Sequence, residues 1–184
     1  MSVSRLSSDD GPARTRINRA PSRLLAVTLP WLSILLGSLL PGWLLIASAP
    51  VLPPIGFLLF VAWRQLRPGL LPIWSGLPLG LFDDLYSGQP FGAAVLLWSI
   101  AAIVLELIEA RVPWRNFLTD WLVAIGLMIA YIVLGLALAN LAGASASLRI
   151  VVPQIVISVF SYPLVGRLVA LMDRFRLTPF VVQR

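Results

Sequence analysis

The chain contains no cysteine, no histidine and no lysine, so all fourteen of its basic residues are arginine. Without cysteine it forms neither disulfides nor thiolate metal sites, and it has no cysteine nucleophile. Without histidine and lysine, a serine or threonine nucleophile lacks its usual general base. These absences remove most of the residue types on which hydrolytic and metal-dependent enzymes depend.

Charge of either sign is also scarce. Charged residues make up 12% of the chain, against about a quarter in ordinary soluble domains, while hydrophobic residues make up 59% and the mean hydropathy is +0.91. A membrane-spanning helix needs roughly 20 apolar residues. The long runs without any charged residue are 24–63, 68–82, 85–105, 121–148 and 150–166. The composition therefore predicts an all-α integral membrane protein.

Proline and glycine divide these runs, because they end helices and form turns. The predicted organisation is a disordered basic tail over 1–23, one transmembrane helical domain over 24–176, and a short tail over 177–184. Residues 1–23 are rich in serine, proline and arginine, which is typical of disorder. The domain is predicted to contain about six spans, near 24–47, 52–66, 70–85, 90–110, 117–140 and 150–167.

The arginines predict the orientation of this bundle. With six spans, thirteen of the fourteen arginines fall on one side and only Arg149 on the other. Arginine accumulates in cytoplasmic loops, so both termini are predicted to be cytoplasmic. A five-span alternative scatters the arginines over both faces. The net charge of +6 would suggest nucleic acid in a soluble protein, but arginines at the ends of apolar runs indicate anionic lipid instead.

Two adjacent carboxylates interrupt the apolar pattern in the segment GLFDDLYSGQPFG, residues 80–92. Asp83 and Asp84 lie near the outer end of the third predicted span. Neighbouring helical residues point about 100° apart, so one carboxylate is expected to face the bundle and the other solvent or headgroups. A carboxylate within the membrane needs a partner, and Arg149 is the candidate for an ion pair. The simpler alternative is that at least one aspartate only ends the helix at the interface.

The remaining acidic residues give little support to catalysis. They lie on the predicted cytoplasmic side, away from the Asp83–Asp84 pair, so no second carboxylate complements that pair as a catalytic dyad or a magnesium diphosphate site. We expect Glu106 and Glu109 to pair locally with the arginines that follow them, and Asp173 to lie in a solvated helix end. The expected protein is thus not an enzyme and has no cofactor or metal.

Small residues precede the two aspartates. Gly76 and Gly80 are four residues apart in the sequence GLPLG, a spacing that lets two helices approach closely. Because such pairs are common in membrane helices, we interpret this one as a packing feature rather than as a dimer interface.

The segment 76–92 resembles the signature of MreD, the rod shape-determining membrane protein family. In that family Gly-Leu is followed by an aspartate, then Ser-Gly, then Leu-Gly. The matching residues here are Gly80 and Leu81, Asp84, Ser87 and Gly88, and, after Gln89 and Pro90, Phe91 and Gly92. Asp83 departs from the pattern, because an apolar residue is expected there. Chain length, span number and basic C-terminal end agree with the family.

The resemblance implies a non-enzymatic inner-membrane scaffold of the bacterial elongasome. Members of the family bind MreC and help couple MreB filaments to peptidoglycan synthesis by RodA and its penicillin-binding protein, and thereby to cell shape. Their fold is similar to that of the substrate-binding subunits of energy-coupling-factor transporters. The resemblance assigns partner contacts or turn structure to Gly80, Asp84, Ser87, Gly88, Pro90 and Gly92, with Asp83 as an unexplained neighbour. The alternative function is a small-molecule or lipid-carrier binding subunit of a transporter.

Overall fold

The computed structural model describes residues 23–44, 52–112 and 116–177, and all regular structure in these ranges is helical. The α helices are α1 (Arg23–Leu44), α2 (Ile55–Leu66), α3 (Gly76–Tyr86), α4 (Ala93–Arg111), α5 (Phe117–Leu141) and α6 (Leu148–Leu177). One 3-10 turn, Ile73–Ser75, leads into α3. The prediction of an all-α protein is confirmed. Apart from Arg23 and Leu177, the two predicted tails lie outside the described residues.

Only part of this set is long enough to cross a membrane. Within the described ranges, three helices combine sufficient length with an apolar composition: Ala93–Arg111, Phe117–Leu141 and Leu148–Arg176. The apolar helices Val27–Gly42 and Ile55–Leu66 are shorter, and α3 has 11 residues, or about 16 Å of helix. The three long helices indicate a membrane-embedded protein, whereas the predicted spans near 52–66 and 70–85 are occupied by short helices.

The short helix α2 forms the centre of the bundle. Every residue from Gly56 to Gln65 is buried, because α1, α4, α5 and α6 all pack against it. Its aromatic side chains face a tryptophan of α4: the Phe57 and Phe60 rings lie 5.6 and 5.2 Å from the Trp98 ring. A helix can be buried on all sides when its sequence is apolar on all sides, which applies to IGFLLFVAW.

Helices α3 and α4 form an antiparallel hairpin in which the backbones approach closely. A Cβ atom on Gly76 would lie 2.7 Å from the Trp98 carbonyl oxygen, and one on Gly80 would lie 2.7 Å from the Ala94 carbonyl oxygen. Any larger residue would therefore push the helices apart. The small-residue pair in GLPLG is thus a packing feature within this hairpin.

Polar side chains gather at two opposite ends of the bundle. The arginine end is defined by Arg64, Arg67, Glu106 and Asp173, which lie at the ends of α2, α4 and α6. The aspartate end is defined by Asp83, Asp84 and the α3–α4 turn, residues 87–92.

The arginine end corrects two expectations about local pairing. Glu106 pairs with Arg64 of α2 at 2.8 Å, so its partner lies across the bundle and not in the following residues. Asp173 is buried and accepts hydrogen bonds from the Nε and Nη2 atoms of Arg67 at 2.9 and 2.6 Å. It also pairs with Arg176 at 2.8 Å, so it is not part of a solvated helix end. The hydrogen bonds that Arg67 donates to Asp173, together with the negative charge of that carboxylate, raise the pKa of Arg67.

Candidate functional site

The α3–α4 turn is organised by the carboxylate of Asp84. Its Oδ2 atom accepts hydrogen bonds from the backbone N–H groups of Gly92 and Val95 at 3.0 and 3.1 Å, and Oδ1 accepts one from Ala94 at 2.8 Å. The first N–H groups of a helix have no partner within it and carry partial positive charge. Asp84, from the end of α3, therefore caps the start of α4, the role that a serine or aspartate at the N-cap position usually has.

Two glycines permit this capping geometry. Gly88 and Gly92 have φ angles of +69° and +92°, in the left-handed region that side-chain-bearing residues rarely adopt. Gly92 is the N-cap residue of α4 and has no side chain of its own to cap the helix. The Ala93 N–H donates to the Pro90 carbonyl oxygen at 3.0 Å and closes the turn. The motif residues Ser87 to Gly92 thus form a compact connection whose register places three amides on Asp84.

Asp83 points to a different partner. The Tyr131 hydroxyl of α5 donates to the Oδ2 atom of Asp83 at 3.2 Å and accepts a hydrogen bond from the Nε2 atom of Gln89 at 3.2 Å. The Tyr131 ring stacks on Phe57 at 4.2 Å, which fixes the hydroxyl in place. Asp83, Tyr131 and Gln89 therefore form one buried chain of hydrogen bonds that joins α3, α5 and the turn.

Both carboxylates are buried, with 7% exposure for Asp83 and 6% for Asp84. The expectation that one of them faces solvent or headgroups is therefore wrong. The two side chains do take different directions, but the start of α4 covers one direction and α5 covers the other. The sequence did not indicate that α4 and α5 enclose the end of α3.

The structure does not bring Arg149 to either aspartate. Arg149 is an exposed residue in the first turn of α6, and within the described ranges no salt bridge involves it. The oxygens of Asp84 are occupied by backbone amides, which are donors that a sequence does not display. The other motif residues, Gly80, Ser87, Gly88, Pro90 and Gly92, all lie in or beside the turn.

Two residues of the site were not anticipated from the sequence. Tyr131 is a single hydroxyl within a long apolar segment, and a buried tyrosine hydroxyl normally has a hydrogen-bond partner. Gln89 lies inside the motif but matches no fixed position of the family pattern. The isolated polar atom in LMIAYIVLG was the available signal for Tyr131, and no signal distinguished Gln89.

The arrangement of the site is suited to holding a turn in place. The amides of Gly92, Ala94 and Val95 point to Asp84, and the Tyr131 hydroxyl connects Asp83 to Gln89. In the part of the chain that the structure describes, no three His, Cys, Asp or Glu side chains lie close enough together to hold a metal ion. The interactions at this site are hydrogen bonds between groups that the fold holds in position.

Comparison with models of known protein families, with curated proteins and with solved structures found no match to this chain.

Proposed function

We propose that the protein is a non-enzymatic scaffold of the bacterial cell-wall elongation complex, of the MreD type. In this proposal it crosses the inner membrane about six times, with both termini in the cytoplasm and with a fold like that of the substrate-binding subunits of energy-coupling-factor transporters. Its mechanism is binding energy between helices and partners, without a chemical step.

The observation that carries the proposal is the capping of α4 by Asp84. Three hydrogen bonds to one carboxylate fix the α3–α4 turn, and a fixed surface binds a partner with less loss of conformational entropy. Next to these bonds, the end of α3 exposes Leu85 and Tyr86, and the turn exposes Phe91. The aspartate of the family motif would thus hold the surface in shape, and the neighbouring apolar residues would make the contact with MreC.

The arginine end supplies the second contact of the proposal. Arg111, Arg167 and Arg174 are exposed there, next to the partly buried ion pairs of Arg64 and Arg67. Exposed arginines near a membrane surface attract anionic lipid, and in this proposal they also face MreB filaments. RodA and the elongation penicillin-binding protein would join through MreC or through the apolar outer faces of the helices.

The competing function is a binding subunit for a small molecule or a lipid carrier. One observation favours it: the Gln89 Oε1 atom is buried without a hydrogen-bond partner and could accept a bond from a ligand. One observation weighs against an anionic ligand at the turn, because the α4 N-terminus, the natural anion site, is already occupied by Asp84.

A complementation experiment tests the scaffold. Depletion of the protein from its rod-shaped host should cause rounding and loss of MreC from membrane pull-downs, and the unchanged gene should restore both. Asp84→Ala should restore shape poorly, since three helix-start amides lose their acceptor. Asp83→Ala should restore shape better, because it removes the acceptor of a single hydroxyl.

Ser87→Ala is the matched control, because Ser87 is exposed in the same turn. Its hydroxyl oxygen accepts only a weak hydrogen bond of 3.5 Å from the backbone N–H of Gln89. The amount of each variant in the membrane is measured by immunoblot, so that loss of protein is separated from loss of MreC binding. Normal shape after depletion, together with a specific uptake defect, would favour the transporter subunit. Equal tolerance of Asp83→Ala and Asp84→Ala would refute the role given to Asp84.

A further inference from the structure

At the aspartate end, the described helices end at different levels along the axis of the bundle. The Gln89 side chain lies beside Gly135 of α5, where a Cβ would be 3.5 Å from its Oε1 atom. α5 continues for six more residues to Leu141, or about 9 Å of helix. The Gln89 side chain of the α3–α4 turn therefore meets α5 well below the end of that helix.

A contact on α6 gives a similar difference relative to the segment before α2. The Gln154 Nε2 atom donates to the Leu52 carbonyl oxygen, just before α2, at 2.9 Å. α6 begins six residues earlier at Leu148, which again corresponds to about 9 Å. The tip of the α5–α6 hairpin, residues 136–152, thus projects beyond the start of α2 and beyond the α3–α4 turn by a similar distance.

The exposed face of α3 is correspondingly short. It carries Leu77, Leu81 and Leu85, and exposed aromatic residues stand at its two limits, Trp74 at 61% and Tyr86 at 54%. These two residues are 12 positions apart, about 18 Å along a helix. Tryptophan and tyrosine concentrate at membrane interfaces. On α5, the polar limits Asp120 and Asn140 are 20 positions apart, about 30 Å.

A flat bilayer surface is compatible neither with the level of the hairpin tip nor with the level of the α3–α4 turn. With its surface at the hairpin tip, the exposed turn residues Ser87 and Gly88 would lie in hydrocarbon, which does not hydrogen-bond to irregular backbone. With its surface at the turn, the tip would hold exposed apolar side chains in water, among them Leu141 at 83% exposure. A bilayer surface that descends from the tip to the turn keeps the turn residues out of the hydrocarbon and the apolar side chains of the tip out of water.

We propose that this bundle thins the bilayer beside α3, drawing the lipid headgroups at the aspartate end down to the α3–α4 turn. The partner of the α3 face is thus the lipid itself, in a layer about 9 Å thinner than beside α5 and α6. A helix face shorter than the hydrocarbon core is accommodated by local thinning. The inference concerns the bundle without a bound partner, and a protein that binds Leu85 and Tyr86 would displace this lipid.

Nitroxide labels on single cysteines measure this directly, since the chain has no cysteine of its own. Ser87→Cys reports the turn, Ala144→Cys the hairpin tip, and Phe160→Cys, on the exposed middle of α6, the hydrocarbon. The purified full-length protein is placed in dioleoyl phosphatidylcholine vesicles. The depth of each label follows from its relative accessibility to oxygen and to a nickel chelate. Leu85→Cys replaces Ser87→Cys if the latter fails to fold.

Thinning predicts that the Ser87 and Ala144 labels report the same interfacial depth to within about 3 Å, two residues of helical rise. A Ser87 label about 9 Å deeper than the Ala144 label would show a flat bilayer and overturn the proposal. An Ala144 label in bulk water above an interfacial Ser87 label would also overturn it. So would low accessibility of Ser87 to both reagents, because protein would then cover the turn.

A pair of variants tests the aromatic anchor. Tyr86→Leu should move the Ser87 label toward the hydrocarbon, because the interfacial hydroxyl is lost from the turn. Phe160→Leu removes another exposed aromatic ring, far from the turn, and should leave the Ser87 label unchanged. No shift in Tyr86→Leu, or equal shifts in both variants, would contradict anchoring at this position.

Discussion

Asp83 and Asp84 differ in what they bind, although they are adjacent and equally buried. Asp84 binds three amides of the backbone, a set of charge-assisted hydrogen bonds at a helix start. Asp83 binds one hydroxyl on another helix. The family pattern contains an aspartate at the position of Asp84 and an apolar residue at that of Asp83. The backbone partners of Asp84 would exist with either residue at position 83, whereas the partner of Asp83 depends on a tyrosine in α5.

Tyr131→Phe tests the buried chain of hydrogen bonds. The substitution preserves the ring that stacks on Phe57 but leaves the buried Asp83 and the partly buried Gln89 without their shared hydroxyl. Loss of a partner for buried polar groups typically costs about 1–3 kcal/mol, and we expect a decrease in the free energy of unfolding in that range. The measurement is reversible denaturant unfolding in mixed micelles, followed by circular dichroism.

Tyr86→Phe is the matched control, because Tyr86 is exposed and its hydroxyl has no buried partner among the hydrogen bonds described. It should leave the free energy of unfolding nearly unchanged. If the two substitutions destabilise equally, the hydroxyl of Tyr131 has no special role in joining α3, α5 and the turn.

The candidate site shows why residues are only partly predictable. The motif identified Asp84 and its glycines, because left-handed turns favour glycine. It did not identify the hydrogen-bond donors, because Gly92, Ala94 and Val95 contribute backbone groups that any sequence possesses. Arg149 was selected by charge alone, and the structure places it at the hairpin tip, away from both aspartates.

At the scale of elements, the positions of the helices were predictable and their lengths less so. Each of the six segments predicted from apolar runs punctuated by proline and glycine overlaps one described helix, and the number of membrane crossings stays a prediction. The third was expected to begin near residue 70, yet α3 begins at Gly76. Leu70 to Pro72 form a connection instead, and the Leu71 carbonyl oxygen accepts a hydrogen bond from the buried Arg64 at 2.5 Å. A hydrogen bond from a buried guanidinium to a backbone carbonyl seven residues away is not visible in an apolar pattern.

Gly80→Ala tests the close packing of α3 on α4. The added methyl would lie 2.7 Å from the Ala94 carbonyl oxygen and 2.8 Å from the Val95 Cα. These are backbone atoms that cannot rotate away. Overpacking of this kind costs about 1–3 kcal/mol, so we expect a corresponding loss in the free energy of unfolding, measured by the same denaturant assay.

Gly126→Ala in α5 is the control for helix propensity, since a Cβ there would meet nothing within 4 Å. Alanine is favoured over glycine in a helix interior by about 1 kcal/mol, so this variant should be neutral or more stable. If Gly80→Ala were as well tolerated as Gly126→Ala, the α3–α4 contact would not require glycine.

At the scale of the whole molecule, the two ends of the bundle differ in how far the sequence predicts them. The arginine count predicted which segments share an end, and the ion pairs of Arg64 and Arg67 with Glu106 and Asp173 join segments that the prediction placed together. The unequal heights at the aspartate end could not be predicted, because span length was inferred from a uniform membrane thickness. Short central helices become stable only when longer helices enclose them, which is a property of the assembled bundle.

Arg64 is the residue on which the arginine end depends most. Its guanidinium is fully buried and donates to the carbonyl oxygens of Leu71 and Ala102 at 2.5 and 3.3 Å and to Glu106 at 2.8 Å. It therefore connects α2, the connection before α3, and α4. Arg64→Met retains much of the side-chain volume but removes every donor, so the carbonyl oxygen of the buried Leu71 loses its partner, and we expect a loss of about 1–3 kcal/mol in the free energy of unfolding.

Glu106→Gln provides the comparison, because the Glu106 side chain is 53% exposed and glutamine still offers an oxygen to Arg64. Partly exposed ion pairs contribute about 1 kcal/mol or less, so this variant should lose little stability. The expected asymmetry, a large loss for Arg64→Met and a small one for Glu106→Gln in the same unfolding assay, identifies the carbonyl contacts as the dominant part of the interaction. Equal losses would instead assign the stability to the Arg64–Glu106 ion pair, and α2 would then be held at this end by charge alone.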